Sequence, residues 1–219
     1  MNSTQKLNMT NRRQFLSTST AFALGAMFAS RPSQCLATSG NVIRVEEDWE
    51  IKIETAVPDR NTPEMVTSIG PVADDSEAVV SLLINHATYP SYNSGGVQLQ
   101  VWRNDQLLGI SNFAQSKQLA TANEVIRFTL VMALEGGKLR YQVIDGTSST
   151  FGTFAGDGID ASTSLTSLSG YSPKDSIRRS VVSVGGNRLA KYQINQIRYS
   201  TEGSTEVLID KTIHSVLKS

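Results

Sequence analysis

The chain has 219 residues, 39% hydrophobic and 18% charged, with a formal net charge of zero. That is too apolar and too weakly charged for a disordered chain. The single cysteine, Cys35, leaves no intramolecular disulfide and no thiolate metal site to hold a fold together.

Charge is unevenly placed along the chain. Residues 1–37 carry Lys6, Arg12, Arg13 and Arg31 and no acid, whereas the remainder carries 16 Lys and Arg against 20 Asp and Glu, a net charge of −4. A mildly acidic domain lacks the basic stripe that nucleic acid demands, so nucleic acid is not an expected partner. Residues 10–16, Thr-Asn-Arg-Arg-Gln-Phe-Leu, are followed by the apolar stretch Ala21–Ala29 and then by Arg31-Pro32. Nine apolar residues suit a signal core and are too few to span a bilayer. The pattern resembles a twin-arginine export signal, carried by Arg12, Arg13, Phe15 and Leu16. Asn11 and Ser17 depart from that signature. The resemblance implies a translocase partner during export, cleavage after Ala37, and a periplasmic or extracellular domain over residues 38–219. No later stretch is apolar enough for a membrane-spanning helix, so an integral membrane protein is not expected.

From Val42 onward the apolar period is mostly two, the period of a strand. In Asp48–Glu54, Trp49, Ile51 and Ile53 take one face, and Asp48, Glu50, Lys52 and Glu54 take the other. Val97–Trp102 alternates likewise, turns at Arg103–Gln106 and returns through Leu107–Ser111. Val125–Leu134 turns at Gly136-Gly137, returns through Leu139–Ile144, and meets a further turn signal at Asp145-Gly146. Other strands are expected at 78–86, 163–168, 180–184, 188–199 and 205–210. Two stretches are ambiguous. Asp74–Leu83 also suits a helix start, with Asp74 and Glu77 spaced as a capping box, and Ile209–Leu217 suits a short terminal helix.

About ten strands with no helices between them predict a sandwich or barrel. The segment Leu139–Gly146 and the ending Tyr192–Tyr199 resemble the middle and late strands of concanavalin A-like domains. The expected fold is therefore all-β, a two-sheet antiparallel jelly-roll sandwich. The resemblance implies a domain that binds or cuts carbohydrate, although fold alone does not decide function.

Two groups of residues are candidates for that chemistry. Glu46, Asp48 and Glu50 match the spacing of the Glu-x-Asp-x-Glu strand of retaining glycosidases with that fold, where one acid is nucleophile and another acid/base. The same residues suit a solvated outer strand face, and Glu47 stands where that family has an apolar residue. The loop Asn85–Gly96 gathers His86, Tyr89, Tyr92 and Asn93, and Trp102 shares a strand face with Gln98 and Gln100. Aromatic faces beside amides and hydroxyls are what sugar recognition requires. Asp145, Asp157 and Asp160 are too few for a calcium loop, so no metal and no cofactor is expected. The leading reading is a non-catalytic carbohydrate- or surface-binding protein of the cell envelope. A glycoside hydrolase or lyase, and a structural or protein-partner-binding envelope protein, are the alternatives.

Overall fold

The computed structural model describes residues 40–55, 65–72, 76–84, 96–114, 117, 119, 121–174 and 188–215. Twelve strands are found among them. They are β1 (Val42–Thr55), β2 (Met65–Ile69), β3 (Val79–Ile84), β4 (Val97–Arg103), β5 (Gln106–Phe113), β6 (Glu124–Glu135), β7 (Lys138–Ser148), β8 (Gly152–Phe154), β9 (Ile159–Ser162), β10 (Arg188–Thr201), β11 (Val207–Asp210) and β12 (His214–Ser215). One sheet runs β11-β10-β1-β6-β7-β8, with β12 on β10 and β9 on β7; the other runs β2-β3-β4-β5. Every pairing is antiparallel.

The two sheets pack face to face through their apolar rows. Trp49, Ile51 and Ile53 of β1 join Val80, Leu82 and Ile84 of β3, Val97, Leu99 and Val101 of β4, and Phe128, Leu130 and Met132 of β6 in one buried core. Within it the buried Trp49 lies 5.1 Å from the Tyr192 ring and stacks on Phe128 at 6.4 Å. Contacts tie the sheets at their margins too. Phe113 of β5 stacks on Phe154 of β8 at 5.7 Å, and the Tyr141 hydroxyl donates to the Ala78 carbonyl. Gly109 of β5 must stay small, because a Cβ there would lie 2.6 Å from Ile159 of β9.

The tight turns follow from residues that tolerate a left-handed backbone. Gly136 and Gly137 (φ +56° and +74°) close the β6–β7 hairpin, and Asn104 and Asp105 (φ +49° and +62°) close β4–β5. Two-residue hairpin turns of type I′ need positive φ at both positions, which Gly, Asn and Asp supply most cheaply.

Four expectations are corrected. The strand expected at 163–168 is irregular chain, because Thr163 and Ser164 turn their hydroxyls onto the Glu77 carboxylate instead of extending a ladder. Asp145-Gly146 does not turn the chain. Asp145 (φ +52°) sits at a bulge within β7, Gly146 pairs with Phe154, and reversal waits until 149–151. Residues 76–84 hold no helix, since β3 is already extended from Val79 and pairs with β4, while Asp74 lies outside the described residues. The terminal helix is replaced by β11 and β12, which add to β10. The strand expected at 180–184 lies outside the described residues.

Candidate functional site

The acid run sits on β1, the strand between β10 and β6 in the larger sheet. Alternation sends Glu46, Asp48 and Glu50 to the outer face and Val45, Trp49, Ile51 and Ile53 to the core. The register sets cations and hydrogen-bonding groups beside each acid. Glu46 lies between Arg198 and Val131, Asp48 between Gln196 and Thr129, and Glu50 between Gln193 and Arg127.

These side chains bind one another. Arg198 donates Nε to Glu46 at 2.6 Å and both Nη groups to the two oxygens of Asp48, a planar fork that only arginine provides. Arg44 holds the other Glu46 oxygen at 2.7 Å. Thr129 and Gln196 complete Asp48 at 2.7 and 3.2 Å. Glu50 receives Lys191 at 2.7 Å and Arg127 at 2.8 Å.

Burial alone would raise the Glu46 pKa, but the hydrogen bonds and charges of Arg198 and Arg44 outweigh it, so this carboxyl is lowered. The Lys191 hydrogen bond is the main reason that Glu50 is also lowered, against partial burial and with help from Arg127. Arg198 is raised: its burial is outweighed by hydrogen bonds to Asp48 and Glu46. A retaining glycosidase needs one carboxyl that keeps its proton near neutral pH. Glu46 and Glu50 are both shifted the opposite way.

Glu47 is the member of the run that sequence reasoning underrated. It is fully buried on the core side, accepts the Trp49 indole N–H at 2.8 Å, and accepts the Tyr171 hydroxyl. Tyr171 in turn packs edge-on against Tyr199. The arrangement fastens the segment after β9 to the core. The signal was parity, since 47, 49, 51 and 53 share a face and an acid at the first of them marks a buried polar contact.

The smaller sheet has a different outer face. Trp102, Gln100 and Gln98 of β4 point away from the core in one file. The indole N–H donates to Gln100 at 2.9 Å, Gln100 donates to Gln98, and Gln98 donates to Asn112 of β5 at 2.6 Å. Leu107 lies opposite Trp102, Ile110 opposite Gln100 and Asn112 opposite Gln98. Exposure rises toward the β5 side: Val79, Ser81, Leu83 and Gln98 are buried, Gln100 and Trp102 are half-buried, and Leu107, Leu108 and Ile110 are 39%, 39% and 41% exposed.

Of the residues grouped with Trp102 for ligand binding, His86, Tyr89, Tyr92 and Asn93 lie outside the described residues, as do Arg12, Arg13, Phe15 and Leu16. Asp160 serves as partner to Arg140 at 3.0 Å and Lys138 at 4.0 Å. Among the described residues no group of three or more His, Cys, Asp and Glu could hold a metal ion, and no helix is long and apolar enough to cross a membrane. A polar cleft of about 400 Å³ opens where β6 begins and β7 ends, with Asn123, Arg127 and Thr147 in its wall. No family model, curated protein or solved structure matches the chain.

Proposed function

We propose that this chain is an exported, non-catalytic carbohydrate- or surface-binding protein on a concanavalin A-like jelly roll, with its ligand face around Trp102. The observation that carries the reading is the hydrogen-bonded file Trp102–Gln100–Gln98–Asn112 beside the exposed apolar Leu107 and Ile110. Sugars offer apolar C–H faces and hydroxyls together, and an indole beside primary amides answers both. The amides restrain the ring before any ligand arrives, which reduces the ordering cost of binding.

Other features support parts of the same reading. The lowered carboxyls of Glu46 and Glu50 favour recognition over hydrolysis. The larger sheet sets β1 beside β6 and β10, while β2–β5 form the other sheet; such long-range neighbours are in keeping with a jelly roll. Arg12, Arg13, Phe15 and Leu16 support export, and a translocase and an envelope glycan are the partners this reading names. A protein partner is the second reading, favoured by the exposed Leu107, Leu108 and Ile110.

The test is a polysaccharide and glycan array, with release of reducing ends followed in the same wells. Binding without release, lost in Trp102→Ala and weakened in Gln100→Ala, is the expected outcome. Release abolished by Glu46→Gln or Glu50→Gln would make the acidic strand an active site. Silence in both assays would turn the reading to a protein partner.

A further inference from the structure

We propose that the cleft at the start of β6 is a second ligand site, one that takes an oxyanionic group such as the carboxylate of a sugar acid. It lies on the larger sheet and does not rest on the reading of the Trp102 face.

The wall of the cleft carries hydrogen-bonding capacity that the described residues leave unengaged. Arg127 gives only its Nε, to Glu50, and its side chain is 56% exposed. Its two Nη groups meet no acceptor among the described residues. Thr147 stands beside Arg127 in the register. Thr121, Asn123 and Ser149 complete the polar wall with Ser148. The side chains of Thr121, Asn123, Thr147 and Ser149 form no hydrogen bond with described residues. Ser148 Oγ accepts from the Phe151 amide, which leaves its own proton to donate.

The acids bordering the cleft are already engaged. Both oxygens of the buried Glu124 accept from Thr150, at 2.6 Å from its amide and 2.7 Å from its hydroxyl. Both oxygens of Glu50 are taken by Lys191 and Arg127. The hydroxyls and the amide of this wall donate and accept alike, so the unengaged side chain that only donates is the guanidinium edge of Arg127. Such an edge suits a planar oxyanion, which it can grip through two parallel N–H groups. Lys52, Lys191 and Arg127 are matched locally by Glu50, Glu54 and Glu124, so the grip comes from directed donors and not from a strong net field. The surrounding hydroxyls suit a ligand that carries hydroxyls of its own.

Calorimetric titration of the protein with glucuronate, inorganic phosphate and glucose tests this. Glucuronate is expected to bind and glucose not to bind. Phosphate binding as well as glucuronate would show that a free oxyanion suffices; glucuronate alone would show that the sugar matters. Arg127→Gln is expected to weaken binding about tenfold or more, as for the loss of a charged hydrogen bond, with an unchanged far-ultraviolet circular dichroism spectrum. The double variant Thr121→Ala/Ser149→Ala is expected to weaken it less and decides the case if Arg127→Gln fails to fold. Equal binding of glucose, oxyanion binding indifferent to both variants, or no oxyanion binding at all would overturn the proposal. None of these results bears on Trp102, whose variants are scored on the array.

Discussion

The two sheets turn unlike faces outward. On the larger sheet, Glu46, Asp48 and Glu50 are each saturated by Arg44, Arg127, Lys191 or Arg198. On the smaller sheet the outward file is neutral, an indole and amides, with leucine and isoleucine beside it. Both faces obey the same strand period, so both look polar and alternating in sequence. The difference lies in partners contributed by other strands. A carboxylate with both oxygens taken by protein groups stabilises the fold but has little left to offer a ligand, whereas the half-exposed indole of the smaller sheet is held by an amide beside exposed apolar side chains.

Substitutions should act unequally on the two faces. The largest effect falls on the core that both faces share. Trp49→Ala is expected to cost about 3–5 kcal/mol, read by urea unfolding, and to abolish any ligand binding with it; a cost below about 1 kcal/mol would mean that Trp49 is not packed in the core. Next, Arg198→Ala removes the cation that Glu46 and Asp48 share, leaving them Arg44, Thr129 and Gln196, and is expected to cost about 1–3 kcal/mol, with little recovery in Arg198→Lys, which cannot form the fork. Gln100→Ala on the opposite face is expected to cost about 1 kcal/mol or less. Equal costs for the two would erase the distinction drawn here.

The faces should also differ in pH response. Glu46 and Glu50 have folded pKa values below their unfolded ones. Their contribution is therefore full above the unfolded glutamate value of about 4.3 and lost as pH falls through the lower folded values. Acid titration of the unfolding midpoint should show this loss below about pH 4, and Glu50→Gln should flatten it. A midpoint that falls between pH 7 and 5 instead would assign the acid sensitivity to other groups. The smallest stability effect is expected for Ile110→Lys, within about 0.5 kcal/mol of the parent because the side chain is half in solvent. Its value is as a probe. Loss of glycan or partner binding at unchanged stability would assign the β5 margin to the ligand face.

Much of the fold could be read from alternation. Trp49, Ile51 and Ile53 were assigned to the core by parity, and the Gly136-Gly137 and Asn104-Asp105 turns by their tolerance of positive φ. The failures have local causes. Asp145-Gly146 has the chemistry of a turn, yet a left-handed residue also fits a bulge, and only pairing with β8 chooses between them. Asp74 and Glu77 have capping-box spacing, but Glu77 instead receives Thr163, Ser164 and Arg103 from far along the chain. Of the candidate sites, the acid face and the Trp102 file were legible because both follow a period of two. The cleft was not, because Asn123, Arg127 and Thr147 meet only when β6 and β7 pair.

The sequence alone determined which residues of each strand face inward, where glycine and asparagine turn the chain, and that the first 37 residues differ in charge from the rest. Those properties depend on near neighbours and on a fixed backbone period. Tertiary structure decided which cation meets which acid, that Glu47 is buried against Trp49 and Tyr171, and where unengaged donors converge. The first two rest on contacts between residues about 80 to 150 apart in the chain, and the third on the register of β6 against β7, and no local pattern encodes them.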